Sequence, residues 1–193
     1  MNESDPLPPF QSIPLPKLFQ PFLEDQPFQH CIVCQCDLLQ DDVHYLIEKA
    51  YKGTEVIFEY ALCVPCAMDM RAELSQESLQ RMQDQFENSP NLAARRTRLA
   101  KLPPQEIAPW IDACVITGIS RQETDSYQLC AHCVGRELVL TDLPFMISAA
   151  AMSEMSALLS KKTRDSLDDF TDQYLGIPPD LREVFDDLPA LIF

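Results

Sequence analysis

Apolar and polar residues alternate most regularly in two neighbouring stretches, HYLIEKAY (44–51) and TEVIFEYAL (54–62). A period of two, carried by β-branched and aromatic residues, predicts strands. Lys52-Gly53 between them predicts a tight hairpin turn, because glycine accepts positive φ. Downstream the period lengthens. In AMDMRAELSQESLQRMQDQFE the apolar Leu79, Met82 and Phe86 recur at helical spacing, and Ser75 either caps a second helix or lies inside one long one. NSPN (88–91) ends that pattern. LAARRTRLAK (92–101) predicts a short basic helix and LPPQEIAPW (102–110) a proline-rich linker. Helices are predicted again over 144–160 and 163–175, the latter with Leu167, Phe170 and Tyr174 on its apolar face and Gly176 at its C-cap. The final IPPDLREVFDDLPALIF reads as one short acidic helix with an apolar tail, and the proline-rich start (1–27), with Phe10, Phe19 and Phe22, as an extended arm lying in part against a core.

Eight cysteines change this picture, because six of them fall in three close pairs. Cys31-Ile-Val-Cys34 precedes the hairpin and Cys63-Val-Pro-Cys66 follows it, at the start of a helix. Two cysteines three apart across a tight turn can put both sulfurs on one ion, and a second pair brought back by a hairpin completes a tetrahedron. Helix N-terminal dipoles also favour thiolate over thiol. A turn pair, a hairpin and a pair opening a helix resembles the treble-clef group of zinc fingers over roughly residues 28–75. That resemblance implies a structural Zn2+ on Cys31, Cys34, Cys63 and Cys66. It names a fold group that serves many tasks, so it selects no function. Cys36 is left over and is assigned to packing.

The phrase around the second pair recurs. Tyr60-Ala-Leu-Cys63-Val-Pro-Cys66 is echoed by Tyr127-Gln-Leu-Cys130-Ala-His-Cys133, and CIVCQ (31–35) by CVITG (114–118). This predicts a second, related module over 111–140 with a trimmed hairpin between 118 and 129, in which Thr117 stands where Cys34 would. Two readings stay open: a degenerate module that packs without metal, or a site on Cys114, Cys130 and Cys133 completed by His132, Asp112, Asp125, water or a partner.

Charge and composition narrow the function. With 15 basic against 30 acidic residues the formal charge is −15, which opposes non-specific binding to nucleic acid or anionic membranes. The first thirty residues lack the basic start and apolar run of a secretory signal, and 143–160 is too short and polar to span a bilayer. Paired cysteines in an intracellular, cytoplasmic setting point to metal rather than disulfides. No HExxH, no HxE with PCxxC and no Gly-rich phosphate loop occurs.

The sequence therefore predicts an α+β protein of two treble-clef-like zinc modules with a helical C-terminal extension. Its divisions are an arm (1–27), a zinc module (28–90), a basic helix and linker (91–110), and a degenerate module with the extension (111–193). The function expected is non-catalytic, a scaffold or interaction module whose partner is another protein. A nucleic-acid-associated zinc finger using Arg95, Arg96, Arg98 and Lys101 is the second reading, and a CxxC thiol–disulfide oxidoreductase the third.

Overall fold

The alternating stretches and the glycine turn form the expected hairpin in the computed structural model, which describes residues 11–103 and 106–176. Along the chain lie β1 (Gln11–Pro14), β2 (His44–Lys52), β3 (Glu55–Cys63), α1 (Val64–Glu73), α2 (Gln76–Glu87), α3 (Pro90–Leu99), β4 (Ser126–Val134), β5 (Glu137–Leu140), β6 (Phe145–Ser148), α4 (Ala149–Ala157) and α5 (Lys161–Phe170). A π-helical turn, Thr171–Leu175, extends α5 and ends at Gly176 in the left-handed conformation (φ 57°, ψ 36°), where the sequence places a C-cap. The architecture is α+β around one antiparallel sheet. Its order is β1-β5-β4-β2-β3, and β6 shares the β5 side of β4. Tyr45, Ile47, Leu129, Leu138, Met146, Ile147 and Met152 are fully buried against it.

Local chemistry explains the helix boundaries. Ser75 does cap a second helix, its hydroxyl accepting the Ser78 N–H at 3.1 Å. Ser89 and Pro90 open α3, so NSPN both ends one helix and begins the next. Two expectations are corrected. The helix predicted over 144–160 begins only at Ala149, because Phe145–Ser148 pairs with β4 as a strand and Ser148 caps the helix through the Ala151 N–H. The trimmed hairpin predicted within 118–129 is instead a short 3-10 turn, Arg121–Glu123, capped by Ser120 and leading into β4. The expected terminal acidic helix and Phe10 lie outside the described residues.

The two predicted modules share the sheet, because β2 and β4 pair along their whole lengths with Glu48 opposite Cys130. Each of these central strands carries its own antiparallel partner, β3 on β2 with Tyr45 opposite Cys63, and β6 on β4 with Tyr127 opposite Ser148. The caps of α2 and α5 exchange hydrogen bonds. The Ser75 N–H donates to Thr163 Oγ1 at 3.0 Å and the Ser160 N–H to Ser78 Oγ at 2.9 Å, while the Ser75 and Ser160 hydroxyls meet at 3.0 Å. Such reciprocal contacts are what a two-fold relation between halves produces.

Within the described residues the arm packs against the sheet. β1 pairs with β5, Phe19 is fully buried, and the ammonium of Lys49, itself 2% exposed, donates to Gln20 O at 2.6 Å and pairs with Glu59. Gly135 turns β4 into β5 at φ 52°, its carbonyl accepting the Tyr45 hydroxyl at 2.9 Å. A Cβ there would stand 3.1 Å from Gln40 O. Gly135→Ala is therefore expected to cost about 1–2 kcal/mol and to lower the melting midpoint by roughly 2–8 °C, read by thermal circular dichroism. Among the described residues no helix is long and apolar enough to cross a membrane.

Candidate metal centre

The sequence from Cys31 to Cys36 folds into a tight turn. Gln35 N–H donates to Cys31 O and Cys31 N–H to Cys36 O, each at 3.0 Å, with Gln35 at φ 60° closing the loop. Ile32 N–H then fastens the turn to β3 through Ala61 O at 2.9 Å. β3 ends at Cys63, the N-cap of α1, and Pro65 in the first turn fits the helix start because it gives up only an N–H that lacks an intrahelical partner. Cys66 follows one turn later.

These elements bring together Cys31, Cys34, Cys63 and Cys66, whose sulfurs all lie within 4.8 Å of one another. Cys34 Sγ and Cys63 Sγ stand 3.7 Å apart. Four sulfurs at ~2.3 Å from a tetrahedral ion stand about 3.8 Å apart, so the donor set fits such an ion. Backbone donors already face the sulfurs: Cys63 N–H reaches Cys31 Sγ at 3.4 Å, Cys36 N–H reaches Cys34 Sγ, and Cys66 N–H reaches Cys63 Sγ.

Electrostatics point the same way. The Cys36 N–H, helped by neighbouring thiols, draws the Cys34 thiol down to about 6 against the effect of burial. Burial pushes the Cys63 and Cys66 thiols up. Without a cation, a second or third thiolate in this cluster would be buried beside another negative charge. A divalent ion removes that conflict and takes the protons' place. Cys36 lies against Cys34 and Cys63, and burial raises its thiol to about 12.

The second predicted set does not converge. Among the described residues the only group of three or more cysteine, histidine or carboxylate donors close enough to hold an ion is the first cluster. The reason is β4, which runs straight through Cys130 and Cys133, so strand alternation sends the two side chains to opposite faces. Cys130 faces the Glu48 carboxylate at 3.9 Å, and Cys133, 0% exposed, has its thiol raised to about 12 by burial. Two of the suggested fourth ligands are engaged elsewhere, His132 with His44 at 2.9 Å and Asp112 with Arg98.

Glu48 was not singled out by the sequence. It is 3% exposed and accepts the Tyr60 hydroxyl, and only its place mid-strand among apolar residues could have marked it. The basic helix turns Arg95 inward and leaves Arg96 and Arg98 half-exposed in ion pairs. Arg95 is 6% exposed, while Arg96 and Arg98 pair with Asp142 and Asp112, so the three arginines considered for phosphate contact are held by the chain itself.

Comparison with protein-family models, with curated proteins and with solved structures finds no match to this chain.

Proposed function

We propose that Cys31, Cys34, Cys63 and Cys66 hold one structural Zn2+ in a treble-clef-like module, and that the protein acts without catalysis, by contacting another protein in a reducing compartment such as the cytoplasm. The observation that carries the zinc reading is the convergence of four sulfurs within 4.8 Å. An all-thiolate tetrahedral set suits Zn2+ or an iron–sulfur centre. Four protein ligands also leave no open position for water or substrate, as in structural sites. Protein contact is supported by the arm, where Phe22 and Leu23 are 62% and 91% exposed. Their loop is pinned by the Phe22 N–H to Glu59 and by Lys17 to Asp25. Apolar side chains held out on an anchored loop favour a partner that covers them.

Elemental analysis of purified protein is expected to give one zinc per chain, with Co2+ substitution producing thiolate-to-cobalt absorption. Iron in its place, or no metal, overturns the zinc reading. Phe22→Ser with Leu23→Ser is expected to abolish capture of the partner. A capture profile identical to that of the unmodified chain overturns the contact surface.

A further inference from the structure

Each ligand position of the first cluster has a counterpart in the second half, and the counterparts are not the cysteines of the repeated phrase. Backbone hydrogen bonds give the match. Cys114 N–H donates to Ile119 O at 2.8 Å and Gly118 N–H to Cys114 O at 2.9 Å, repeating the Cys31–Cys36 turn. Val115 N–H donates to Met146 O at 2.9 Å, as Ile32 N–H does to Ala61 O. Gly118 is left-handed at φ 75° where Gln35 is at φ 60°. Antiparallel bridges flank both turns, His30 with Asp37 and Ala113 with Ser120. Cys114 thus falls on Cys31 and Thr117 on Cys34. Two residues beyond each accepting carbonyl, Ser148 falls on Cys63, and one helical turn later Ala151 falls on Cys66.

The side-chain atoms obey the same correspondence. Cys31 Sγ accepts the Cys63 N–H at 3.4 Å, and Cys114 Sγ accepts the Ser148 N–H at 3.4 Å. Cys34 Sγ takes the N–H two residues on, and Thr117 Oγ1 takes that of Ile119 at 3.4 Å. Cys63 Sγ takes the Cys66 N–H, and Ser148 Oγ takes that of Ala151 at 3.4 Å. Ser148 Oγ lies 3.5 Å from Cys114 Sγ, and the corresponding pair, Cys63 and Cys31, has its sulfurs within 4.8 Å of each other. The register also disposes of the repeated phrase. Tyr127 opposite Ser148 occupies the place of Tyr45 opposite Cys63, so Cys130 answers to Glu48 rather than to Cys63.

We infer that residues 114–151 form a second metal cradle with its backbone intact and its ligands replaced, a latent site for a thiophilic tetrahedral cation such as Zn2+ or Co2+. One thiol, two hydroxyls and an alanine are too poor a set for zinc. In the ion's stead, Ser148 and Thr117 donate to the Cys114 sulfur and hold the turn against α4. The inference builds on reading the first cluster as a metal site, yet it is tested by a difference between two proteins and does not depend on what that cluster holds.

The experiment is the combined Thr117→Cys, Ser148→Cys, Ala151→Cys variant, refolded with Co2+ or Zn2+ beside the unmodified chain. The expected result is a metal-to-protein ratio higher by one than in the unmodified chain, with a matching gain in cobalt–thiolate absorption. Thr117→Cys alone is expected to give no gain. A folded triple variant with no added ion overturns the inference, as does an ion bound at Cys114 in the unmodified protein. Because Ala151 is fully buried, the triple variant could misfold. Ser148→Ala in the otherwise unmodified chain then decides: an unchanged metal ratio with a lowered melting midpoint upholds a metal-free cradle, and loss of an ion refutes it. Should the unmodified chain carry no metal at all, the functional proposal fails while the increment still tests this one.

Discussion

Cys63→Ser is expected to release the bound ion and to unfold the N-terminal half, and stripping the unmodified protein with a chelator is expected to do the same. The size of the effect follows from comparing two quantities. A structural zinc contributes roughly 10–16 kcal/mol in finger peptides, whereas a whole domain is stable by about 5–15 kcal/mol. Cys63 is also where β3 passes into α1, so losing the bond that it would make to the proposed ion frees both elements at once. The damage is not confined to one module, because β2 lies between β3 and β4 in the shared sheet. Far-ultraviolet circular dichroism before and after chelation is the measurement. Cys133→Ala serves as the control: equally buried but outside the cluster, it is expected to keep the ion and to cost on the order of 1–2 kcal/mol. A melting curve for Cys63→Ser that overlays the unmodified one would remove the structural role.

The second large effect belongs to Arg95. Its guanidinium donates to three carbonyl oxygens, Asp142 O at 2.9 Å, Trp110 O at 3.1 Å and Pro144 O, and stacks over the Trp110 ring at 5.3 Å. Burial draws its pKa down to about 10, which leaves it charged at neutral pH. It ties α3 to the segments before and after the second turn. Arg95→Met keeps much of the stem but orphans those carbonyls, and at about 1–3 kcal/mol for each buried acceptor left unsatisfied the total is about 3–5 kcal/mol. At roughly 2–4 °C per kcal/mol, the melting midpoint should fall by about 6–20 °C. Arg95→Lys should recover little, because an ammonium cannot reproduce the planar fork. Arg96→Ala, which breaks a half-exposed pair with Asp142, should cost about 0–1 kcal/mol. A midpoint in Arg95→Met no lower than that of Arg96→Ala would refute the assignment.

The first cluster was legible because every signal around it agreed. Strand alternation, the Gly53 turn and the spacing of Cys31, Cys34, Cys63 and Cys66 all require the same hairpin. The second half misled because its clearest echo is carried by the wrong strand. Tyr-x-Leu-Cys-x-x-Cys does not itself choose between strand and helix. After Cys63, Pro65 opens a helix, while after Cys130 the strand continues to the Gly135 turn. The strand Phe145–Ser148 was missed for a related reason, since three apolar residues and a serine before a helix carry no period of their own. A quieter echo was present and correct. Leu74-Ser75-Gln-Glu-Ser78 and Leu159-Ser160-Lys-Lys-Thr163 both cap a helix, and the two caps meet in the fold. The inward turn of Arg95 could not be read locally, because its acceptors come from residues far along the chain.

The antiparallel ladder between β1 and β5 has a consequence for the order of biosynthesis. Ser12 bonds to Glu137 across a sequence separation of 125 residues. A ribosome delivers the arm long before it delivers the strand the arm lies on, whereas all four cluster sulfurs have emerged by residue 66. The donor set of the proposed ion is thus available to the nascent chain from early on, and the arm waits until translation has passed β5 before it can seal the sheet's outer border.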